Sequence, residues 1–260
     1  MAGIAAFTVV SGFDPAPLTT HSFAHHYLLY ALDGLMRLEA DGRCWTLPPA
    51  RAAWIAANEP INVRIDRRIS GCSIMFSTDA YAGPSHPLRV FDMTPLLREV
   101  MLALRPYGPD CTTLPPQARQ MFDLAATLAE QLAANPSRAW MPTVRSDVLR
   151  RALEITKANL DTTQSFEDIA TAAGATPRTL ARRFSEELGM TWSQTQRRLR
   201  MVYAVEVLAE NKASITEVAF ATGYNSLSAF NAAFRDFMGQ TPSDFRRSMR
   251  AYAQSVSSHS

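Results

Sequence analysis

Arg178 and Arg182 stand four residues apart, so on a helix they share one stripe. A guanidinium is a planar fork of donors that can engage two acceptors on one guanine edge or clamp a phosphate. Ser185 falls on the same side. Fifty residues on, Ser228, Ala232 and Arg235 recur at the same positions, flanked by Asn231. Serine and asparagine hydrogen-bond to base edges, and alanine offers only apolar contact, for instance to a thymine methyl. The competing chemistry is a solvated outer face on a helical repeat that binds protein. Only two copies exist, and a period of about fifty does not match the common solenoid lengths.

These side chains need elements that present them, and the surrounding sequence supplies the same elements twice. Ser165, Ile169, Ala170 and Gly174 fall on Ser214, Val218, Ala219 and Gly223 at an offset of 49. Leu180, Phe184, Leu188, Gly189 and Thr191 fall on Phe230, Phe234, Met238, Gly239 and Thr241 at an offset of 50. One residue is gained in the turn and the register then holds. Each copy reads as a short helix, a turn and a second helix. Ser165 is an N-cap, with Asp168 three residues on in an imperfect capping box. Gly174 and Gly223 can take the left-handed conformation that ends a helix. Thr176 then caps the next helix with Pro177 at its first position, and Ser226 caps in the second copy. Leu180, Phe184 and Leu188 recur every four residues and face inward, as do Phe230, Phe234 and Met238. Such a helix can lie in a major groove. A third helical stretch, about 192 to 210, joins the copies and carries Leu199, Val202, Tyr203, Val205 and Leu208. At about 1.5 Å per residue it spans roughly 27 Å. A rod of that length can hold two recognition helices about one DNA turn apart, roughly 34 Å.

Residues from about 143 to 250 resemble the DNA-binding domain of the AraC/XylS family of bacterial transcription regulators. The resemblance is carried by TPRTLARRF, by LGMT, by GYNSLSAFNAAFRDFMGQTP and by Phe245-Arg246-Arg247. It implies a seven-helix, all-α domain with two helix-turn-helix units joined by a long helix, promoter binding and contact with RNA polymerase. Carried onto this chain, the DNA-binding residues are Thr176, Arg178, Thr179, Arg182 and Arg183 in the first unit. In the second they are Asn225, Ser226, Ser228, Ala229, Asn231, Ala232 and Arg235. Ala232 departs from the larger polar residue that many family members carry there.

The first half reads differently. His25 to Leu32, Leu35 to Glu39, Arg43 to Leu47, Ala53 to Ala57, Ile61 to Ile65 and Gly71 to Ser77 are short, apolar or alternating runs. Asp33-Gly34, Asp41-Gly42, Pro48-Pro49 and Glu59-Pro60 separate them as turn signals. Such spacing points to an antiparallel barrel or sandwich. The segment is similar to the cupin-like effector domain of many AraC/XylS regulators, which implies a small barrel able to hold a small molecule. His25, Tyr27, Tyr30, Met36, Trp45 and Trp54 are the candidate effector-binding residues, and equally the material of a barrel core. Alternation separates His25, Tyr27 and Leu29 from His26, Leu28 and Tyr30 without saying which set faces in. Thr94 to Arg105 and Gln117 to Ala134 carry helical apolar stripes, which either dimerise, as such helices do in the family, or cover an open side of the barrel.

Metal chemistry finds little support. Metal cupins need a His pair, a carboxylate and a later histidine. After Glu59-Pro60 the sequence reads Ile61-Asn62-Val63-Arg64, and the remaining histidines are His21, His86 and His259. Adjacent His25 and His26 point to opposite faces of a strand. Cys44, Cys72 and Cys111 are odd in number and far apart, so they form neither a disulfide framework nor a zinc knuckle, and a reducing cytoplasm suits them. No metal, no cofactor and no catalysis are expected.

The 260 residues suffice for two domains with real cores. There is no run of eighteen apolar residues to span a membrane and no basic start with a hydrophobic run to make a signal peptide. Residues 143–250 hold fifteen Lys or Arg against twelve Asp or Glu, and residues 1–142 hold eleven against twelve. So small a surplus makes placement, not net charge, the carrier of phosphate contact. The local clusters are Arg182-Arg183, Arg197-Arg198, Arg200 and Arg246-Arg247.

The expectation is an α+β chain. A cupin-like antiparallel β-barrel with following helices spans 1–135 and senses an effector or dimerises. A linker spans 136–142, the double helix-turn-helix domain 143–250, and a flexible tail 251–260. The expected function is a cytoplasmic, sequence-specific regulator bound to double-stranded promoter DNA, with a small-molecule effector and a homodimer as possible partners and no membrane. The alternatives are a cupin-type enzyme fused to a DNA-binding module and a helical protein-binding adaptor. A linked DNA-repair methyltransferase would need zinc-binding cysteines, which the sequence lacks.

Overall fold

Strand-forming runs rich in Val, Ile, Thr and aromatic residues fill the first ninety residues. They form β1 (Ala6–Phe13), β2 (Ala16–His21), β3 (His26–Asp33), β4 (Met36–Ala40), β5 (Arg43–Leu47), β6 (Arg51–Ile55), β7 (Ile61–Ile65), β8 (Ile69–Phe76) and β9 (Leu88–Asp92). The structure is a computed structural model and describes residues 4–137, 139–162, 164–209 and 213–257, without the side chains of 250–257. Glu210, where the long helix was expected to end, His259 and the last residues of the expected tail lie outside it.

The chain divides into two compact units. The first is Met1–Ala40, Trp45–Ser137 and Ser248–Ser260, and the second is Asp41–Cys44 with Arg138–Arg247. In the first unit one sheet runs β1-β8-β3-β6-β9 and the other contains β5-β4-β7-β2 in that order. The pairings are antiparallel, for instance Leu28 opposite Trp54 and Ile74 across β3, β6 and β8. The strands form two separate sheets, with no ladder joining them among the described residues. The closed barrel expected from the sequence is therefore corrected to two open antiparallel sheets. Alternation fixes which face of a strand is buried, whereas closure depends on tilt and stagger that alternation does not encode.

Both faces of the central strands β3, β6 and β8 of the first sheet are largely buried. Helices α1 (Pro95–Ala103) and α2 (Pro116–Ala133) lie on one of them. Leu28, Tyr30, Trp54, Ile74, Phe76 and Phe91 there join Leu97, Met101, Leu104, Phe122, Ala125 and Ala129 in one core cluster. Burying each large side chain contributes about 1.5–3 kcal/mol. The Trp54 indole N–H donates to Glu130 on α2 at 3.0 Å, and Phe76 meets Phe122 edge to face. The two helices therefore cover the sheet, one of the two roles the sequence allowed. Leu96 on α1 and Leu124 on α2 remain exposed.

The second unit is helical apart from β10 (Trp140–Pro142). Its helices are α3 (Asp147–Ala158), α4 (Phe166–Ala172), α5 (Pro177–Arg183), α6 (Trp192–Ala209), α7 (Ile215–Ala221) and α8 (Leu227–Met238), with the start of α9 (Pro242–Ser257), whose residues from Ser248 on belong to the first unit. A π turn over Phe184–Leu188 continues α5. Helix α9 extends through most of the stretch that reads as a tail in the sequence.

Candidate nucleic-acid interface

The local chemistry of each helix pair follows from its caps. The Ser165 hydroxyl accepts from the Asp168 amide at 3.1 Å and starts α4. Ser214 starts α7 with a full capping box. Its hydroxyl accepts from the Glu217 amide at 3.1 Å, and its own amide donates to the Glu217 carboxylate at 2.6 Å. Hydrogen bonds from Ser214 hold the Glu217 pKa below its ordinary value. Gly174 and Gly223 sit at φ of 78° and 73° and turn the chain out of α4 and α7. At Gly223 a Cβ would also collide with the Leu160 carbonyl oxygen and the Arg200 guanidinium, so glycine is required twice over. Thr176 accepts from the Thr179 amide at 3.2 Å, and Ser226 from the Ala229 amide at 3.2 Å. These oxygens cap α5 and α8, which places Thr176 and Ser226 at the N-terminal mouths of the two helices.

Helix α5 and its π turn bury Leu180, Phe184 and Leu188 against Leu149, Ala152, Ile169 and Ala170. Helix α8 buries Phe230, Phe234 and Met238, with Val218 and Ala219 buried on α7. What remains outside is the predicted face. Arg178, Arg182 and Ser185 are exposed on α5, with Thr179 and Arg183 half-buried at its flanks. Asn225, Ser226, Ser228, Ala229, Ala232 and Arg235 are exposed around α8, with Asn231 half-buried. Arg178 has no ion-pair partner among the described residues. Arg182 lies 3.9 Å from Glu186, and Arg183 lies 3.9 Å from both Glu186 and Glu187.

The far end of α5 and its π turn is tied down by Glu187. Its carboxylate accepts from the Arg145 and Ser146 amides at 2.8 and 3.0 Å, just ahead of α3. Burial opposes its ionisation, but hydrogen bonds from Ser146 and Arg145 outweigh that and lower its pKa. Helix α6 has 18 residues and so spans about 27 Å. Its first turns line a cleft of about 310 Å³ with Gln194 and Arg197 on one side and Ala233 and Asp236 of α8 on the other. Sequence reasoning did not single out Gln194, because the cleft is made by elements some forty residues apart.

Several arginines that the sequence groups for phosphate contact are committed elsewhere. Arg198 donates from Nε to the Trp140 carbonyl, and its guanidinium lies over the Trp140 and Phe237 rings at 4.8 and 5.4 Å. Burial lowers its pKa. Arg43 covers the other ring contact of Trp140 at 4.7 Å. Arg200 lies 6.0 Å from the Tyr224 ring, and Arg246 donates to the Ala213 carbonyl. Arg197 stays exposed.

In the first unit the candidate effector residues fall in several packing environments. Tyr30 and Trp54 are buried in the cluster beneath α1 and α2. Tyr27, Met36 and Trp45 are buried outside that cluster, and Tyr27 packs edge to face on Phe23. His25 is half-buried against Phe7. An open groove of this unit, about 410 Å³, is lined by Tyr81, Thr112, Leu114, Arg119 and Asp123. The Tyr81 hydroxyl donates to Asp123 at 2.8 Å. Among the described residues no group of three or more His, Cys, Asp or Glu is placed to hold a metal. No helix among them is long and apolar enough to cross a membrane.

Comparison with known proteins concentrates on the second unit. A helix-turn-helix domain family model matches residues 169–248. The HTH-type transcriptional regulator NimR of Escherichia coli K12 is 24% identical over 238 residues, covering 91% of this chain and 85% of NimR. The transcriptional activator RhrA of Rhizobium meliloti is 37% identical over 129 residues, or 48% of this chain and 40% of RhrA. An AraC-like transcription regulator of Streptomyces lividans is 29% identical over 108 residues, covering 42% of this chain and 36% of its own.

Proposed function

Since the chain belongs to the AraC family of transcription regulators, we propose that α5 and α8 enter two successive major grooves on one face of promoter DNA. The observation that carries this reading is the matched exposure of two capped helices, with Arg178, Arg182 and Ser185 outside on one and Ser228, Ala232 and Arg235 outside on the other. Arg178 and Arg182 read base edges, Thr176, Thr179 and Arg183 border the groove, and Arg235 and Asn231 set the register of α8. Arg197, at the cleft between the helices, holds the intervening backbone.

The first unit serves as a cupin-like sensing domain that takes a small-molecule effector and supplies a homodimer contact. The half-polar groove beside Tyr81, Arg119 and Asp123 supports the first role, and the exposed Leu96 and Leu124 support the second. The regulator acts in the cytoplasm, contacts RNA polymerase and catalyses no reaction. Gel-shift and footprinting on a duplex selected from a randomised library test the core of the reading. Protection of two segments about ten base pairs apart on one face is expected. Protection without any sequence preference, or a single protected segment, overturns it.

A further inference from the structure

The outward face of α5 carries an acid among its cations. Glu186 lies 3.9 Å from both Arg182 and Arg183, and the three side chains are 50%, 62% and 41% exposed. Fifty residues on, the same position holds Asp236, next to Arg235 and exposed at the edge of the cleft. Both reading helices thus place a carboxylate where the sugar–phosphate backbone would approach. We propose that Glu186 is a specificity-determining residue that suppresses binding to non-cognate DNA. The proposal rests on the reading of α5 as a major-groove helix.

The physical argument turns on which contacts each kind of complex uses. Non-specific binding is carried by phosphate neutralisation. An arginine drawn toward Glu186 gives up part of that attraction when it turns to neutralise a phosphate, and the carboxylate left behind is repelled by the same backbone. Each loss falls fully on a complex that has only phosphate contacts. A cognate site escapes the first of these losses, because a guanidinium that gives two donors to a guanine edge keeps others turned to the carboxylate. Weakening the wrong complex more than the right one raises the ratio between them. The small basic surplus of residues 143–250 points the same way, since such a domain does not hold DNA through bulk charge.

The test uses the full chain. Affinity for a library-selected duplex and for a scrambled duplex is measured by fluorescence anisotropy across a range of potassium chloride, for wild type, Glu186→Gln and Glu186→Ala. Both variants are expected to bind the scrambled duplex about threefold to tenfold tighter, with the slope of log affinity against log salt steeper by up to about one. The selected duplex gains less, so discrimination shrinks. Unchanged or weaker binding to the scrambled duplex overturns the proposal, as does an equal or larger gain on the selected one. If the wild-type chain selects no sequence at all, the groove reading falls and takes this proposal with it. If it selects one and both variants behave like wild type, only the role of Glu186 falls.

Discussion

At the scale of single residues, the outward face of α5 is richer in hydrogen-bonding side chains than that of α8. Arg178 and Arg182 present two guanidinium forks, whereas Ala232 replaces the second of them fifty residues on. Arg182→Ala should flatten base preference in its half of the site, removing roughly 1–3 kcal/mol of discrimination. Asn231 is half-buried on the flank of α8. Asn231→Ala should lower affinity and leave preference in place. Library selection with each variant decides this, and uniform weakening of all sequences by Arg182→Ala would make that residue a phosphate contact. Glycine offers a second residue-level test. Gly223→Ala meets both a positive φ and the Leu160 carbonyl, whereas Gly239→Ala at φ 75° meets open space. The first should destabilise by more than the roughly 1–2 kcal/mol left-handed strain expected of the second, as read by chemical denaturation of the two variants. The exposed arginines were legible because a spacing of four names a stripe. The buried ones were not. Arg198 looks like Arg197 in sequence, and its partners Trp140 and Phe237 lie far from it along the chain.

At the scale of elements, caps and apolar periods made most helices readable. The helices predicted at Thr94–Arg105 and Gln117–Ala134 appear as α1, shorter by one residue at its start and two at its end, and α2, shifted by one residue toward the N-terminus. Strands β3 to β8 were visible in outline, but β1, β2 and β9 were not picked out. Strand β2 is mostly exposed at a sheet edge and contains Pro17, so burial leaves little pattern in it. The alternation in β3 could not choose an inner face because the two sheets and the helices bury both. Glu187 illustrates a link that no local pattern reveals, since its partners lie some forty residues upstream. A carboxylate with a folded pKa below its unfolded one stabilises fully above the unfolded value and loses that contribution as pH falls through the folded value. For Glu187 the ordinary value is 4.5 and the shift is downward. Hydrogen exchange at the Arg145 and Ser146 amides should therefore lose protection on acidification below about pH 4.5, after correction for intrinsic rates. Glu187→Gln should remove that dependence. Equal pH profiles in the two proteins would show that Glu187 does not hold the start of α3.

At the scale of the whole molecule, the long segment of the second unit, Arg138–Arg247, takes in Trp140, which a fragment from the 143 start implied by the family resemblance leaves out. The difference matters because Trp140 stacks on Arg198. A fragment from 138 to 250 should melt a few degrees above one from 143 to 250, as a partly buried cation–π contact of about 0.5–2 kcal/mol requires. Identical melting temperatures would show that Trp140 adds nothing to the helical unit. Either fragment should bind DNA more weakly than the full chain if the first unit supplies a dimer, because linked sites raise effective concentration. Undiminished affinity would remove that support for the homodimer. The turn between α7 and α8 gives the molecule one more property. Gly223 to Ser226 is one residue longer than Gly174 to Thr176, and the two helices present different side chains. Such a chain has a head and a tail. If α5 and α8 read DNA as proposed, the stretch under one chain is an arrow rather than a palindrome, so flipping that stretch end for end would seat the chain facing away from the gene it had faced.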